Sequence, residues 1–245
     1  MALPRFYCPD LPPTGSAMEL PREAAHHAQR VLRLRVNDAV QLFDGNGCAL
    51  NGKIREIDAK RVLVHELQTC IADAESSLRI VLAQAMSSAE KMDWVVQKAT
   101  ELGAAVIQPV QTQRSVARLA GERAEKRTAH WRSVATAACE QCGRNTLPHV
   151  GSPQELGAWL SSLRGQEGAK FMLLPEGDAP LGRLPAPRDS IILLVGPEGG
   201  FDEDEVKMAR LAGFTPIRMG NRVLRTETAA VAGLAALQAL WGDFR

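Results

Sequence analysis

The chain has 245 residues, a length suited to one large domain or two small ones. Apolar residues make up 45% and charged residues 23%, which excludes a disordered chain or a fibrous repeat. The formal net charge is +1 and aromatics are only 4%, so a polyanion site must be a local patch and not an extended base-stacking platform. Five cysteines at scattered spacing point to a reduced, cytosolic protein. No basic segment followed by an apolar one opens the sequence, as a signal peptide would. The longest apolar run, Ala229 to Trp241, is interrupted by Gly233 and Gln238 and is too short to cross a bilayer.

In chain order, the first seventy or so residues read as a small β-rich barrel. Turn signals occur at Leu11–Gly15, Asp44–Gly47 and Asn51-Gly52. Between them lie short strands at Ala39–Phe43, Ala49-Leu50, Lys53–Ile57 and Arg61–His65, the last two alternating apolar with polar. A helix is expected from Glu23 to Leu32. Ala72–Ser77 is small and polar, a linker. Strands and helices then alternate, which predicts an α/β domain. Strands are expected at Leu78–Ala83, Ala105–Val110, Lys170–Leu174 and Ile191–Val195. Helices are expected at Glu90–Leu102 with Gly103 as C-cap, at Arg123–Cys142, at Gln154–Leu163 and at Ala229–Leu240. Asp202 with Glu205 has the spacing of a capping box opening another helix.

Ligands in open α/β sheets sit beyond the carboxyl ends of the strands. Three apolar runs there exit into Gly- or Pro-bearing loops: Pro175-Glu176-Gly177, Gly196-Pro197-Glu198-Gly199-Gly200, and Gly220–Thr228. Ordinary turns explain any one of them. Three glycines around Pro197-Glu198 exceed what a turn needs and suggest backbone wrapped round a ligand. Other motifs carry less. Gly47–Lys53 has Walker A spacing, but position 54 is Ile and the stretch reads as a strand. Cys139 and Cys142 have redox or metal spacing at a helix end, without a second pair, and His26-His27 have no ligand-spaced partner, so no metal is expected. Arg5, Arg22, Arg30, Arg33 and Arg35 cluster in the first part. Arg114, Arg118, Arg123, Lys126, Arg127, Arg132 and Arg144 cluster in the second, and together they suggest one polyanion-facing side.

The combination of Gly-Pro-Glu-Gly-Gly-Phe from Gly196 with Met219-Gly-Asn-Arg-Val-Leu-Arg-Thr-Glu-Thr-Ala-Ala230 resembles the RsmE family of bacterial enzymes that methylate N3 of a uridine in 16S ribosomal RNA. Lys91–Gly103, Thr112-Gln-Arg-Ser115, Glu140–Arg144, Pro4-Arg5-Phe6 and Val31–Arg35 also match. The resemblance implies a SPOUT-type α/β domain over 73–245 with a C-terminal trefoil knot, preceded by a PUA-like RNA-binding β-barrel over 1–72. It further implies S-adenosylmethionine as donor, 16S rRNA or the small ribosomal subunit as partner, a homodimer and a cytoplasmic location. Donor contacts would come from Leu173, Leu174 and Pro175, from Gly196, Pro197, Glu198, Gly199 and Gly200, and from Met219, Gly220, Val223, Leu224, Arg225 and Thr228. Arg225 or Arg114 would stabilise charge on the uracil oxygens, and Glu198 or Glu227 would take the N3 proton. RNA contacts would come from Arg5, Arg30, Arg33, Arg35, Arg114 and Arg144. Ribose methylation on the same scaffold, a non-catalytic RNA-binding protein and a small-molecule methyltransferase are the rivals. The Ala229–Leu240 helix, apolar nearly all round, is expected at the subunit interface, with Leu237 on it.

Overall fold

The computed structural model describes residues 3–58, 61–71, 74–188 and 190–244. Two compact units emerge: residues 1–75 with 136–147, and residues 76–135 with 148–245. The linker residues Ala72 and Asp73 lie outside the described residues.

The first unit is a five-stranded sheet in the order β1-β3-β4-β5-β2. Its strands are β1 (Arg5–Tyr7), β2 (Met18–Glu19), β3 (Ala39–Phe43), β4 (Ala49–Ile57) and β5 (Val62–Cys70). β1 runs parallel to β3 and the other pairs are antiparallel. Phe6, Val40, Leu42, Ile54, Val62, Val64 and Leu67 fill its core together with Ala24, Ala25 and Ala28 of the helical segment. The expected helix is there but changes type: α1 (Arg22–His26) passes into a π turn, His27–Val31. Asn51-Gly52 is not a turn. It sits inside β4, where the ladder to β5 shifts register. A Cβ at Gly52 would come within 2.7 Å of Val64 and 2.9 Å of the His65 carbonyl, so the glycine serves close approach of two strands. The reversal into β4 is made earlier, where Asp44 Oδ1 accepts the backbone N–H groups of Asn46 at 2.7 Å and Cys48 at 3.0 Å.

The second unit has an eight-stranded sheet in the order β11-β13-β10-β12-β6-β7-β8, with β9 also on β7. Its elements follow in the chain as β6 (Arg79–Ala85), α2 (Ala89–Glu101), β7 (Ala104–Gln111), α3 (Gly121–Cys142), β8 (His149–Val150), β9 (Gln154–Glu155), α4 (Leu156–Ser162), β10 (Ala169–Leu173), β11 (Ala179–Pro180), β12 (Ser190–Val195), α5 (Glu203–Leu211), β13 (Thr215–Arg218) and α6 (Thr226–Trp241). Every pairing in this sheet is parallel. Side chains alternate between two faces of the sheet. Ile80, Leu82, Ile191 and Leu193 pack on α2 and α6, whereas Val81, Ala83, Ile192 and Leu194 pack on α4 and α5. That two-sided burial explains the continuous apolar runs.

Leu237 is fully buried in the first of these clusters, beside Leu234 and Ala230. The expectation that it lies on a subunit interface is therefore corrected: the sheet and α2 cover that side of α6. Gln238, the polar break in the run, is also buried. Its Nε2 donates to the Leu102 carbonyl at 2.8 Å and its Oε1 accepts from Ser76 Oγ at 2.8 Å. The side chain thus satisfies the end of α2, where Gly103 takes the left-handed conformation at φ +78°.

Candidate functional site

β13, β10 and β12 are adjacent and parallel, so their carboxyl ends open side by side. The loops leaving them enclose a cavity of about 370 Å3, in the size range of small-molecule sites. Leu173, Leu174 and Pro175 line it from the first loop, Gly196, Pro197, Glu198 and Gly200 from the second, and Met219, Gly220, Val223, Leu224 and Arg225 from the third. Gly199 and Thr228, expected with them, do not line it. Lys91, Val195, Phe201, Arg222, Thr226 and Ala229 line it and were not anticipated.

Each loop is held by specific contacts. The first turns back where Asp178 N–H bonds the Pro216 carbonyl at 3.0 Å, and Gly177 lies so near β13 that a Cβ would overlap the Ile217 backbone. In the second, a Cβ at Gly196 would stand 2.9 Å from the Phe201 ring. That glycine admits Phe201, a different reason from close approach of a ligand. Asp202 and Glu205 form the expected capping box at the start of α5. The buried Glu205 also accepts the Gln113 backbone N–H at 2.8 Å. This fixes the turn after β7 that carries Arg114, whose Nη1 donates to the Gly199 carbonyl at 3.0 Å while its stem packs on Gly199. Arg114 therefore buttresses the second loop from outside the cavity. The third loop joins the second through Thr226, the first residue of α6. Thr226 Oγ1 donates to the Gly196 carbonyl at 2.6 Å and accepts from Gln84 Nε2 at 2.8 Å. Gln84 is fully buried at the end of β6. A polar side chain at the end of an apolar strand was the signal for it.

At the cavity wall, Lys91 Nζ lies 3.0 Å from Glu198 Oε1 and 3.4 Å from Glu227 Oε2. Ser87 Oγ donates to the same Glu198 oxygen at 2.6 Å. Burial alone would raise the Glu198 pKa, but the hydrogen bonds from Ser87 and Lys91 outweigh it and hold the carboxyl below its usual range. Glu227 Oε2 is buried and makes no well-formed hydrogen bond. Apolar walls with a carboxylate and an ammonium at one side suit a ligand that is largely apolar and carries separated positive and negative groups.

A family model described as an RNA methyltransferase domain matches residues 74–238, and one described as an RNA methyltransferase PUA domain matches residues 20–67. The chain is 31% identical over 243 residues to the ribosomal RNA small subunit methyltransferase E of Buchnera aphidicola from Acyrthosiphon pisum, covering 99% of this chain and 96% of that one. It belongs to the ribosomal RNA small subunit methyltransferase E family. The Bacillus subtilis member is 29% identical, with 88% of this chain and 87% of that one covered. The crystal structure of the Neisseria gonorrhoeae member bound to S-adenosyl methionine superposes with a TM-score of 0.94 at 40% identity, covering 100% of both chains. The α/β domain with a parallel sheet and the PUA-like N-terminal domain expected from the sequence are both present.

The arginines expected at RNA divide into two groups. Arg30, Arg33 and Arg35 are exposed on the first unit. Arg144 is buried with its guanidinium on Glu75 at 2.8 Å, and Arg5 Nη2 donates to the Arg144 carbonyl and to Asn145 Oδ1 at 2.8 Å each. Arg5 also stacks over Phe43 at 4.8 Å. These two hold the residues after α3 against the first unit, an inward placement that the sequence pattern does not distinguish from an outward one.

Proposed function

We propose that this protein methylates N3 of a uridine in 16S ribosomal RNA, with S-adenosylmethionine as donor, in the cytoplasm. The observation that carries the reading is the three-loop cavity, lined by residues of the two sequence motifs that define the resemblance. Its residues fit the donor: Leu173, Leu174, Met219 and Leu224 give apolar cover, the backbone of Gly196 and Gly220 gives polar contacts, and Glu198 offers a carboxylate to a cationic group. Gly199 supports the second loop from outside, through its carbonyl on Arg114. Bound S-adenosylmethionine supplies a methyl group made electrophilic by its sulfonium.

The uracil N3 carries a proton and has no free lone pair, so the chain must remove that proton and stabilise the anion. Arg225, exposed at the cavity and at the N-cap of α6, is placed to face the uracil oxygens. Arg114 holds the second loop in place through the Gly199 carbonyl. Hydrogen bonds from Ser87 and Lys91 hold the Glu198 carboxyl below its usual range. Either Glu198 or Glu227 takes the N3 proton, and Lys91 stands beside both. Residues 1–72 hold the RNA and residues 73–245 carry donor binding and transfer. The trefoil knot belongs to the same proposal, as does a homodimer formed through the outer side of α6. There Val231 and Ala235 are half-buried.

Transfer of labelled methyl to purified small subunits from a strain lacking the enzyme, followed by nucleoside mapping, tests the reading. A base-methylated uridine is the expected product. A ribose-methylated nucleoside would assign the rival chemistry, and no transfer with no donor binding would leave a non-catalytic RNA binder. Sedimentation of Val231→Glu tests the dimer: a folded monomer is expected, against a wild-type dimer.

A further inference from the structure

Lys91 is the third residue of α2, and Glu227 is the second residue of α6. Both helices pack on the same face of the sheet. Each first turn carries the positive end of a helix dipole, where a carboxylate is favoured and an ammonium is not. Glu227 obeys that rule and Lys91 breaks it. Two carboxylates from distant segments offset the placement. Lys91 Nζ lies 3.0 Å from Glu198 Oε1 and 3.4 Å from Glu227 Oε2. The same Glu198 oxygen accepts from Ser87 Oγ at 2.6 Å, and Ser87 is buried. The entry to α2 thus grips Glu198 with a fixed hydroxyl and with the end of a long flexible side chain. The bond to Glu198 raises the Lys91 pKa, so the ammonium stays charged.

The sharing is unequal. Glu227 Oε2 is buried and makes no well-formed hydrogen bond, so Lys91 is its counter-charge without saturating it. Among the described residues, Lys91 is the one cation within ion-pair distance of either acid. Arg222 and Arg225, the other cations lining the cavity, pair with neither. Two carboxylates gathered at one place repel, and without a cation between them one would keep its proton and could not act as a base.

Resting on the methyltransferase reading, we infer that Lys91 is the positioning residue for proton removal: anchored on Glu198 with Ser87, its ammonium holds the two acids side by side and free of protons for uridine N3. The proton passes from N3 to a carboxylate oxygen, and its bonding pair stays on the nitrogen for the methyl group. A pair that only fastened a helix to a loop would need neither the second acid nor a place on the cavity lining, and Lys91 has both.

The test follows transfer of labelled methyl to small subunits from a strain lacking the enzyme, across pH, in wild type, Lys91→Met and Lys91→Arg. The acid limb of the kcat profile should move up by about one pH unit in Lys91→Met, because a carboxylate that loses a neighbouring ammonium holds its proton more tightly. On the acid side kcat should therefore fall by about tenfold, and the deficit should narrow as pH rises. Lys91→Arg keeps the charge and should restore the limb. Ser87→Ala should move it in the same direction by less. Carbon-13 NMR of the glutamate side-chain carboxyls, read without RNA, should show Glu198 titrating at higher pH in Lys91→Met than in wild type. Unfolding temperature and S-adenosylmethionine affinity by calorimetry serve as controls, and kcat should change more than donor affinity. Lys91→Gln takes the place of Lys91→Met if that variant does not fold. An unmoved acid limb in the folded variant, or a loss that is constant with pH and tracks donor affinity, would overturn the inference and leave the methyltransferase reading standing. A wild-type protein that binds the donor but transfers no methyl, or that methylates ribose, would overturn that reading instead, and the carboxyl titration would still decide whether Lys91 holds the acids.

Discussion

Thr226 ties the loops of the cavity together with a single hydroxyl. That group takes a hydrogen bond from the buried Gln84 and gives one to the Gly196 carbonyl, tying β6, the second loop and the start of α6 together. Thr226→Val keeps the volume but leaves a buried donor and a buried acceptor unpaired. A loss of roughly 1–3 kcal/mol of stability is expected by chemical denaturation. Donor affinity measured by calorimetry should fall as well. An unchanged affinity would show that the loop keeps its shape without the tie. Glu198 makes a pH-dependent prediction. Its carboxyl titrates below its unfolded value, so its stabilisation is present above the ordinary carboxylate range, near pH ~4.3, and is lost as pH falls through the lower folded value. Glu198→Gln should therefore be less stable than wild type at neutral pH, and the two unfolding curves should converge in acid. A gap of constant size across that window would deny the carboxylate its role. The site is about one-third exposed, which keeps the effect small.

At the scale of elements, α6 carries the sharpest contrast between pattern and structure. Its run of small and apolar residues is satisfied by the sheet on one side, where a Cβ at Gly233 would come within 2.8 Å of Leu193. Leu237 faces the same way and is fully buried. Leu237→Glu places a carboxylate in that core with no cation to meet it, so the expected result is loss of folding and not a soluble monomer. Circular dichroism after refolding checks this, and a folded variant of either mass would contradict it. The second loop has a parallel lesson. Gly199→Val meets Arg114, whose Cβ would be 3.2 Å away, before it meets any ligand. Its effect on donor binding passes through displacement of Arg114 and the Gly199 carbonyl.

For the whole molecule, the boundary between units does not coincide with one cut in the chain. Residues 136–147 group with the first unit. There Cys139 packs with Phe43 and Ala49, flanked by Tyr7, Cys70 and Leu147. The Cys139 thiol is pushed up by its hydrogen bond with Cys142 and by burial, and burial pushes Cys8 up to about 12, so neither is a reactive thiolate at neutral pH. A fragment starting at Ser76 retains the 136–147 segment without the strands that cover it. It should still bind S-adenosylmethionine, but with a lower unfolding temperature, a fluorescent-dye signal for exposed apolar surface and no RNA affinity. A fragment as stable as the full chain would mean that this patch contributes little to folding.

Much of this was legible from the residues in order. Period-two and continuous apolar runs placed the strands because burial on one or both faces of a sheet is a local pattern. Gly103, Asp202 with Glu205, and the glycines after β12 marked helix ends and a loop, since caps and left-handed turns depend on adjacent positions. The motifs from Gly196 and Met219 identified the family. Three-dimensional packing decided the rest. Gly52 reads as a turn and is a strand contact, because the atoms it must clear belong to Val64 and His65 across the ladder. Arg30 and Arg144 look alike in sequence, yet only Arg144 meets a carboxylate, 69 positions away. Lys91 was silent because its partner Glu198 stands 107 positions further on. Periodicity reports whether a side chain is buried; what it is buried against, and which charges are neutralised, is settled only when distant segments of the chain come together.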